Sequence, residues 1–221
     1  MIRHALALLL IAAPLAAQGN MVGMKHDADN KVAGGALPVG WSGRTDDPSA
    51  KVQDAKFVAE GTGWHVTSGP AAVYWNDKST VTGPFTASVT IEQTKNSGQH
   101  PEAYGIFFQG STLKGDDQSY AYFLVRGDGK VMVNHRAGKE VHKIVEWTGN
   151  AGARKADVAG KASNTLTVDT TKPDSIRMFV NGTPVASIDA THFGSPAGIV
   201  GIRVNHNLDV KISNFVIEPR K

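Results

Sequence analysis

Nine consecutive residues constrain this chain more than any others. From Phe85 to Gln93 the residues alternate strictly: Phe85, Ala87, Val89 and Ile91 share one side, and Thr86, Ser88, Thr90 and Glu92 share the other. A period of two is the signature of a strand with one face buried and one face wet. Similar short runs recur along the chain. Strands are predicted over Lys56 to Ala59, Gly63 to Thr67, Ala71 to Trp75, Ala103 to Gln109, Tyr120 to Arg126, Lys130 to His135 and Val141 to Trp147. More follow over Asn164 to Asp169, Ser175 to Val180, Thr183 to Ile188, Gly198 to Val204 and Val210 to Glu218. Gly127-Asp128-Gly129 reads as a tight turn, and Asn181-Gly182 is the strongest two-residue hairpin signal present. No segment sustains a 3.6 period; a single helical turn is expected near Asp189 to His192, and Lys155 to Lys161 reads as loop. About a dozen short strands joined by turns predict an all-β, two-sheet antiparallel jelly-roll sandwich, with a closed barrel as the less favoured alternative.

The ends of the chain are of another kind. Arg3 and His4 precede an unbroken apolar run from Ala5 to Ala13, followed by Pro14, Leu15, Ala16 and Ala17. A short positive region, an apolar stretch and small residues make a signal peptide over residues 1–17, and the run is too short to span a bilayer. Residues 18–36 are polar, glycine-rich and aperiodic, and are expected to form a loose N-terminal tail; His26, Asp27 and Asp29 within it read as solvated rather than as metal ligands. A single β-sandwich domain is expected over residues 37–221. The 221 residues contain no cysteine, which excludes disulfides, thiolate metal sites and a cysteine nucleophile. A signal peptide without cysteines suits a bacterial periplasm or exterior. The net charge is +3, with no run of like charges, so nucleic acid is not an expected partner. No later segment reads as a transmembrane helix.

The order of the motifs carries a resemblance. Tyr104-Gly105-Ile106-Phe107-Phe108 is followed by Tyr120-Ala121-Tyr122-Phe123-Leu124-Val125-Arg126 and its Gly-Asp-Gly turn. Then come Asn164-Thr165-Leu166-Thr167-Val168, Met178-Phe179-Val180-Asn181-Gly182, Gly198-Ile199-Val200-Gly201-Ile202 and the closing strand from Val210 to Ile217. This succession resembles the concanavalin A-like lectin/glucanase sandwich. Within it, the chain is similar to LamG-like and 3-keto-disaccharide hydrolase-type domains of secreted bacterial proteins. The resemblance implies two stacked curved sheets and a carbohydrate or glycoside as partner. It leaves activity open, because one fold hosts many functions. Glucanases of this superfamily place acidic residues on one strand in a Glu-x-Asp-x-x-Glu arrangement. None of Glu60, Glu92, Glu102, Glu140, Glu146 or Glu218 has a second carboxylate two or four residues along, so a two-carboxylate glucanase is not expected.

Alternation nominates a ligand face. If Phe123 and Val125 point inward, Tyr120, Tyr122, Leu124 and Arg126 point outward. The same logic puts Met132, Asn134 and Arg136 outward opposite Val131 and Val133, Arg203 and Asn205 outward opposite Ile202 and Val204, and Glu92 outward opposite Val89 and Ile91. Gly105, Phe107 and Gln109 compete with Ile106 and Phe108 for the core. If these strands share one sheet, Tyr122, Arg126, Asn134, Arg136, Arg203 and Asn205 form a sugar-binding surface of aromatic, guanidinium and amide groups; an ordinary solvated face is the plainer alternative. A hydrolase of the 3-keto type would need a base beside the ketone, and Glu92, His135 and His206 are the candidates; no spacing selects among them. His142 and Glu146 lie about 13 Å apart in a strand and cannot share a metal there. Asp116-Asp117 is a candidate calcium site, with a polar loop as the simpler reading. Arg126-Gly127-Asp128 and Asn181-Gly182-Thr183 spell an adhesion tripeptide and a glycosylation acceptor, but hairpin turns account for both.

Overall fold

The expected alternation is realised in two packed antiparallel sheets. The structure, a computed structural model, describes residues 27–33 and 35–220. The expected signal peptide and His26 lie outside the described residues. In chain order the strands are β1 (Trp41–Thr45), β2 (Ala55–Glu60), β3 (Gly63–Ser68), β4 (Ala72–Asn76), β5 (Thr80–Val81), β6 (Phe85–Gln93), β7 (Ala103–Ser111) and β8 (Ser119–Arg126). They continue as β9 (Lys130–Ala137), β10 (Glu140–Gly149), β11 (Ala162–Asp169), β12 (Ser175–Val180), β13 (Thr183–Asp189), β14 (Gly198–Val204) and β15 (Asp209–Pro219). The first sheet runs β1-β4-β14-β7-β8-β9-β10, with β5 paired to the end of β14. The second runs β13-β12-β11-β6-β15-β3-β2. The predicted single turn is a 3-10 turn over Ala190–His192, with Asp189 Oδ1 accepting from the Thr191 amide at 2.8 Å. β1 and β5 had no strand prediction; five and two residues long, they carry too little pattern to read.

The core lies between the sheets. Val89 and Ile91 of β6, Leu166 and Val168 of β11 and Ile176 and Met178 of β12 meet Ile106, Phe108, Phe123, Val133 and Ile202 from the first sheet. The ambiguity in β7 is thereby resolved: Ile106 and Phe108 enter this core, and Phe107 points to the opposite face. The hairpin signals are also realised. Asn181 and Gly182 have φ of 51° and 79°, the pair of positive values that a type I′ turn demands. The Asn181 side chain is consumed there, accepting from the Thr165 amide and donating to Gly152 O and Asn164 Oδ1. In the Gly-Asp-Gly turn, Arg126 and Asp128 pair with each other at 2.7 Å.

The outer face of the first sheet is not an ordinary solvated surface. Val73, Trp75, Phe107, Leu113, Tyr120, Tyr122, Leu124 and Met132 form a second buried cluster on it. Loops make that burial possible. Arg44 donates to Leu113 O and Gly115 O at 3.2 and 2.6 Å, which ties the β7–β8 loop down over the sheet. Asp46, just past β1, reaches in from the other side to the guanidinium of Arg203.

The expected loose tail is partly docked. Asn207 Oδ1 accepts from the Asn30 amide at 2.7 Å, and Asn207 Nδ2 donates to Ala28 O at 2.9 Å. Polar residues without a hydrophobic period gave no sign of this, because the attachment is made by hydrogen bonds and not by burial.

Candidate functional site

Alternation along four strands of the first sheet brings the site together. Tyr122, Leu124 and Arg126 from β8, Met132 from β9, Trp147 from β10 and Arg203 from β14 line one cleft on the outer face. Asn205 and His206 close it from the loop after β14, His100 and Glu102 from the loop before β7, and Asp46 from the loop after β1. The cavity measures about 290 Å³, at the small end of the roughly 300–1,000 Å³ typical of ligand pockets.

Two guanidinium groups lie on aromatic faces at its wall. Arg203 Cζ is 4.7 Å from the Tyr122 ring centre, and Arg126 Cζ is 4.5 Å from that of Trp147. Planar guanidinium groups stack in this way while keeping in-plane donors for other partners. Arg203 is 4% exposed, so its charge must be matched. Asp46 does this with two hydrogen bonds, and Arg136 approaches the same carboxylate to 3.7 Å. Burial pushes the Asp46 carboxyl up, but the charges and hydrogen bonds of Arg203, helped by Arg136, outweigh it and hold the carboxyl below the usual range. For Arg203, burial works against the charge and Asp46 overrides it, so the guanidinium is held more firmly protonated than usual. Tyr120, buried beside them and in reach of Arg203 at 3.4 Å, has its phenol pushed up, chiefly by burial.

Further carboxylates and imidazoles line the same cleft. Glu102 is 5% exposed, and its Oε1 lies 3.3 Å from His100 Nδ1. Ser97 Oγ accepts from the Glu102 amide and donates to His100 O, fixing the turn that carries both. His206 Nδ1 lies 2.6 Å from Asp29 Oδ1. Among the described residues, Arg203 Nε and Asn205 Oδ1 are buried with no hydrogen-bond partner, which leaves one donor and one acceptor on cleft-lining residues. Buried polar groups are rarely left so without a reason. The cleft thus combines donors for hydroxyl or keto oxygens, apolar ring faces, and carboxylate and imidazole groups able to take or give a proton.

The structure distributes the sequence candidates unevenly. Tyr122, Arg126, Arg203, Asn205 and His206 line the cleft. Asn134 supports it from beneath, donating to Tyr122 Oη at 3.2 Å. Arg136 lies on the far side of Asp46, in a neighbouring hollow lined also by Arg44, Asp116 and Gln118. Glu92 does not share this face. β6 belongs to the second sheet, between β11 and β15, and Glu92 opens on that sheet's outer surface among Glu60, Thr90, Ser163 and Lys211. Alternation showed that Glu92 points outward but could not say from which sheet. His135 is also elsewhere. It has the parity of Val131 and Val133 and sits at the margin of the sandwich, 2.9 Å from Ser119 Oγ and stacked on His142. Burial, with His142 and His192 nearby, lowers its proton affinity. Asp116 faces Arg44 Nη2 at 3.9 Å, and among the described residues no three His, Asp or Glu side chains converge as a metal site. Asp46, His100, Glu102 and Trp147 were not among the sequence candidates; three come from loops, where no period assigns a direction.

No protein-family model matches the chain, and no curated protein matches it in sequence. Solved structures do resemble it. A protein of unknown function with a galectin-like fold from Bacillus subtilis superposes with a TM-score of 0.56 at 12% identity, covering 81% of this chain and 90% of its own. A Bacillus licheniformis β-glucanase gives 0.54 at 13% identity, over 84% and 95%. A glycoside hydrolase family 16 endo-glucanase from Bacteroides ovatus gives 0.53 at 7% identity, over 78% and 92%. The fold is therefore the concanavalin A-like lectin/glucanase sandwich. Among the described residues, no helix is long and apolar enough to cross a membrane.

Proposed function

We propose that the protein is a secreted carbohydrate-active domain of the bacterial periplasm or exterior that takes a small saccharide into the cleft on the first sheet and cleaves glycosides of the 3-keto-disaccharide type there. The observation that carries this reading is the joining, in one small cavity, of guanidinium-on-aromatic walls with a buried carboxylate–imidazole pair, Glu102 and His100. The two glucanases that share the fold support a carbohydrate ligand. A 3-keto glycoside asks for a base that removes the proton on C2, next to the ketone. The electron pair then expels the glycosidic oxygen from C1, which leaves with a proton, and water adds across C1 and C2, its oxygen to C1 and a proton back to C2, to give the free 3-keto sugar. Of the three bases considered from sequence, His206 is the one that lines the cleft. In this role Asp29 accepts from Nδ1 and Nε2 takes the proton. Glu102 is the cleft carboxylate that is not committed to Arg203, as Asp46 is. Arg126, Arg203 and Asn205 supply hydrogen bonds for the sugar oxygens.

A non-catalytic carbohydrate-binding module is the second reading, favoured by the absence of a glucanase-type carboxylate pair on one strand. The purified chain assayed on 3-keto glycosides and their unoxidised parents separates the two. Release of free sugar that is abolished in Glu102→Gln or His206→Asn, and retained in Glu92→Gln, is the expected result. A rise in melting temperature with the same sugars but no turnover gives the binding module. Neither effect with any saccharide overturns both readings.

A further inference from the structure

The cleft's two histidine-bearing rims are loops, and each is bonded to more than its neighbouring strands. The loop before β7 carries His100 and Glu102; the loop after β14 carries Asn205 and His206. Both are bonded to the same short stretch of chain, residues 27–30, more than 60 residues away from either in sequence. Asp27 Oδ2 accepts from the Gln99 and His100 amides at 2.8 and 3.3 Å. Asp29 Oδ1 takes His206 Nδ1. Between them, Asn207 clasps the backbone of this stretch with both ends of its amide, on Ala28 and Asn30.

The body of the domain is shaped to receive this segment. At Gly98, φ is +140°, and a Cβ would fall 2.2 Å from Asp27 Oδ2. At Gly69, a Cβ would fall 2.0 Å from Asn30 O. At Gly69 a side chain would collide with the backbone of the segment, and at Gly98 it would displace the Asp27 carboxylate from the loop.

We propose that residues 27–30 are a positioning strap that sets the spacing of the His100–Glu102 and Asn205–His206 walls, with Asp27 and Asp29 as positioning residues acting through those loops. For its functional consequence the proposal rests on the reading of the cleft as a saccharide site. The two carboxylates work in parallel: Asp27 holds one rim by its backbone, and Asp29 holds the other by the imidazole itself, keeping the proton on Nδ1. Without them the walls keep their sheet anchors but lose their mutual register, and a site with loosened walls binds and turns over its ligand less well.

The test is the Asp27→Ala/Asp29→Ala double variant of the full chain, compared with wild type and with Asp29→Asn, which keeps an acceptor at the same place. Amide hydrogen exchange over residues 97–102 and 205–208 is expected to quicken tenfold or more in the double variant, with the rest of both sheets unchanged. The imidazole nitrogen spectrum of His206 is expected to lose its single Nδ1–H form. Affinity for a 3-keto glycoside is expected to fall about tenfold, with Asn restoring part of it. Unchanged exchange in both loops overturns the proposal, whatever the ligand. Equal saccharide affinity in wild type and double variant also overturns it. A wild type that takes no saccharide at all refutes the cleft reading instead, and the exchange and imidazole measurements still decide whether the strap holds the walls. If the double variant were unstable, Gly69→Ala, which displaces the Asn30 carbonyl without touching either carboxylate, must reproduce the same loosening of the two loops.

Discussion

The Asp46–Arg203 pair is the sharpest point at which to press on this structure. Asp46→Ala removes the main counter-charge of a guanidinium that is 4% exposed and leaves its neighbours, the Tyr120 and Tyr122 rings, unable to replace it. Breaking one side of a buried pair costs about 3–5 kcal/mol. The Asp46 side chain keeps 25% of its own surface and so lets some water reach Arg203, which puts the expectation near the lower figure, about 3 kcal/mol. For a domain of this size that is a drop in melting temperature of roughly 6–12 °C. Because the Asp46 carboxyl is held below its ordinary value, its contribution is complete above the unfolded-state value, about pH 4, and is lost as pH falls through the folded-state value. The wild type and the variant must therefore converge in acid. Urea unfolding followed by tryptophan fluorescence at pH 7 and at several lower values measures both effects. The double variant Asp46→Leu/Arg203→Met supplies the control. Replacing both charges with apolar groups is expected to cost far less than losing one. A cost below about 1 kcal/mol for Asp46→Ala at pH 7, the range of exposed pairs, refutes the claim that Arg203 is a desolvated charge.

Three further outcomes follow from particular contacts. Asp209 is pushed up by burial, but hydrogen bonds from Thr94, His65 and Lys95 prevail and bring it down to about 2; Asp209→Asn should lower stability at neutral pH, and the difference should vanish as acid unfolding scans approach pH 2. Asn164 is 1% exposed, donates to Tyr104 Oη and Arg154 O, and accepts from the Arg154 amide and Asn181 Nδ2. Asn164→Ala, which strands those groups, should cost about 2–3 kcal/mol in chemical denaturation. At Gly201 a Cβ would lie 2.3 Å from the Phe107 ring and 2.4 Å from Tyr74 O, so Gly201→Ala should cost about 3 kcal/mol or more by the same assay, and a nearly neutral result would contradict the packing of β14 against β4 and β7.

Much of this molecule was legible before folding, and the residues show why. The alternation of Phe85 to Gln93 and of Ser175 to Val180 is a local property of a strand with one buried face, so those boundaries could be read directly. Asn181-Gly182 announced its hairpin because few other residues tolerate positive φ twice in succession. Alternation also put Tyr122, Arg126, Arg203 and Asn205 on an outward face, and it held the means to move His135 off that face, since His135 has the parity of Val133.

What the sequence could not supply was the pairing of strands. Glu92 and Arg203 both point outward, but β6 and β14 lie in opposite sheets, a matter of long-range hydrogen bonding that no local period encodes. The loops were equally silent. Asp46, His100, Glu102 and Asp29 have no periodicity to orient them; Asp46 meets its partner Arg203, and Asp29 its partner His206, across more than 150 residues of chain. Local sequence set the strands, the turns and, where alternation is clean, the face each side chain takes, because these are decided within a few residues by backbone geometry and burial. Tertiary structure alone decided which faces meet, which charges are desolvated together and where the cleft opens, because these depend on contacts between residues far apart in the chain.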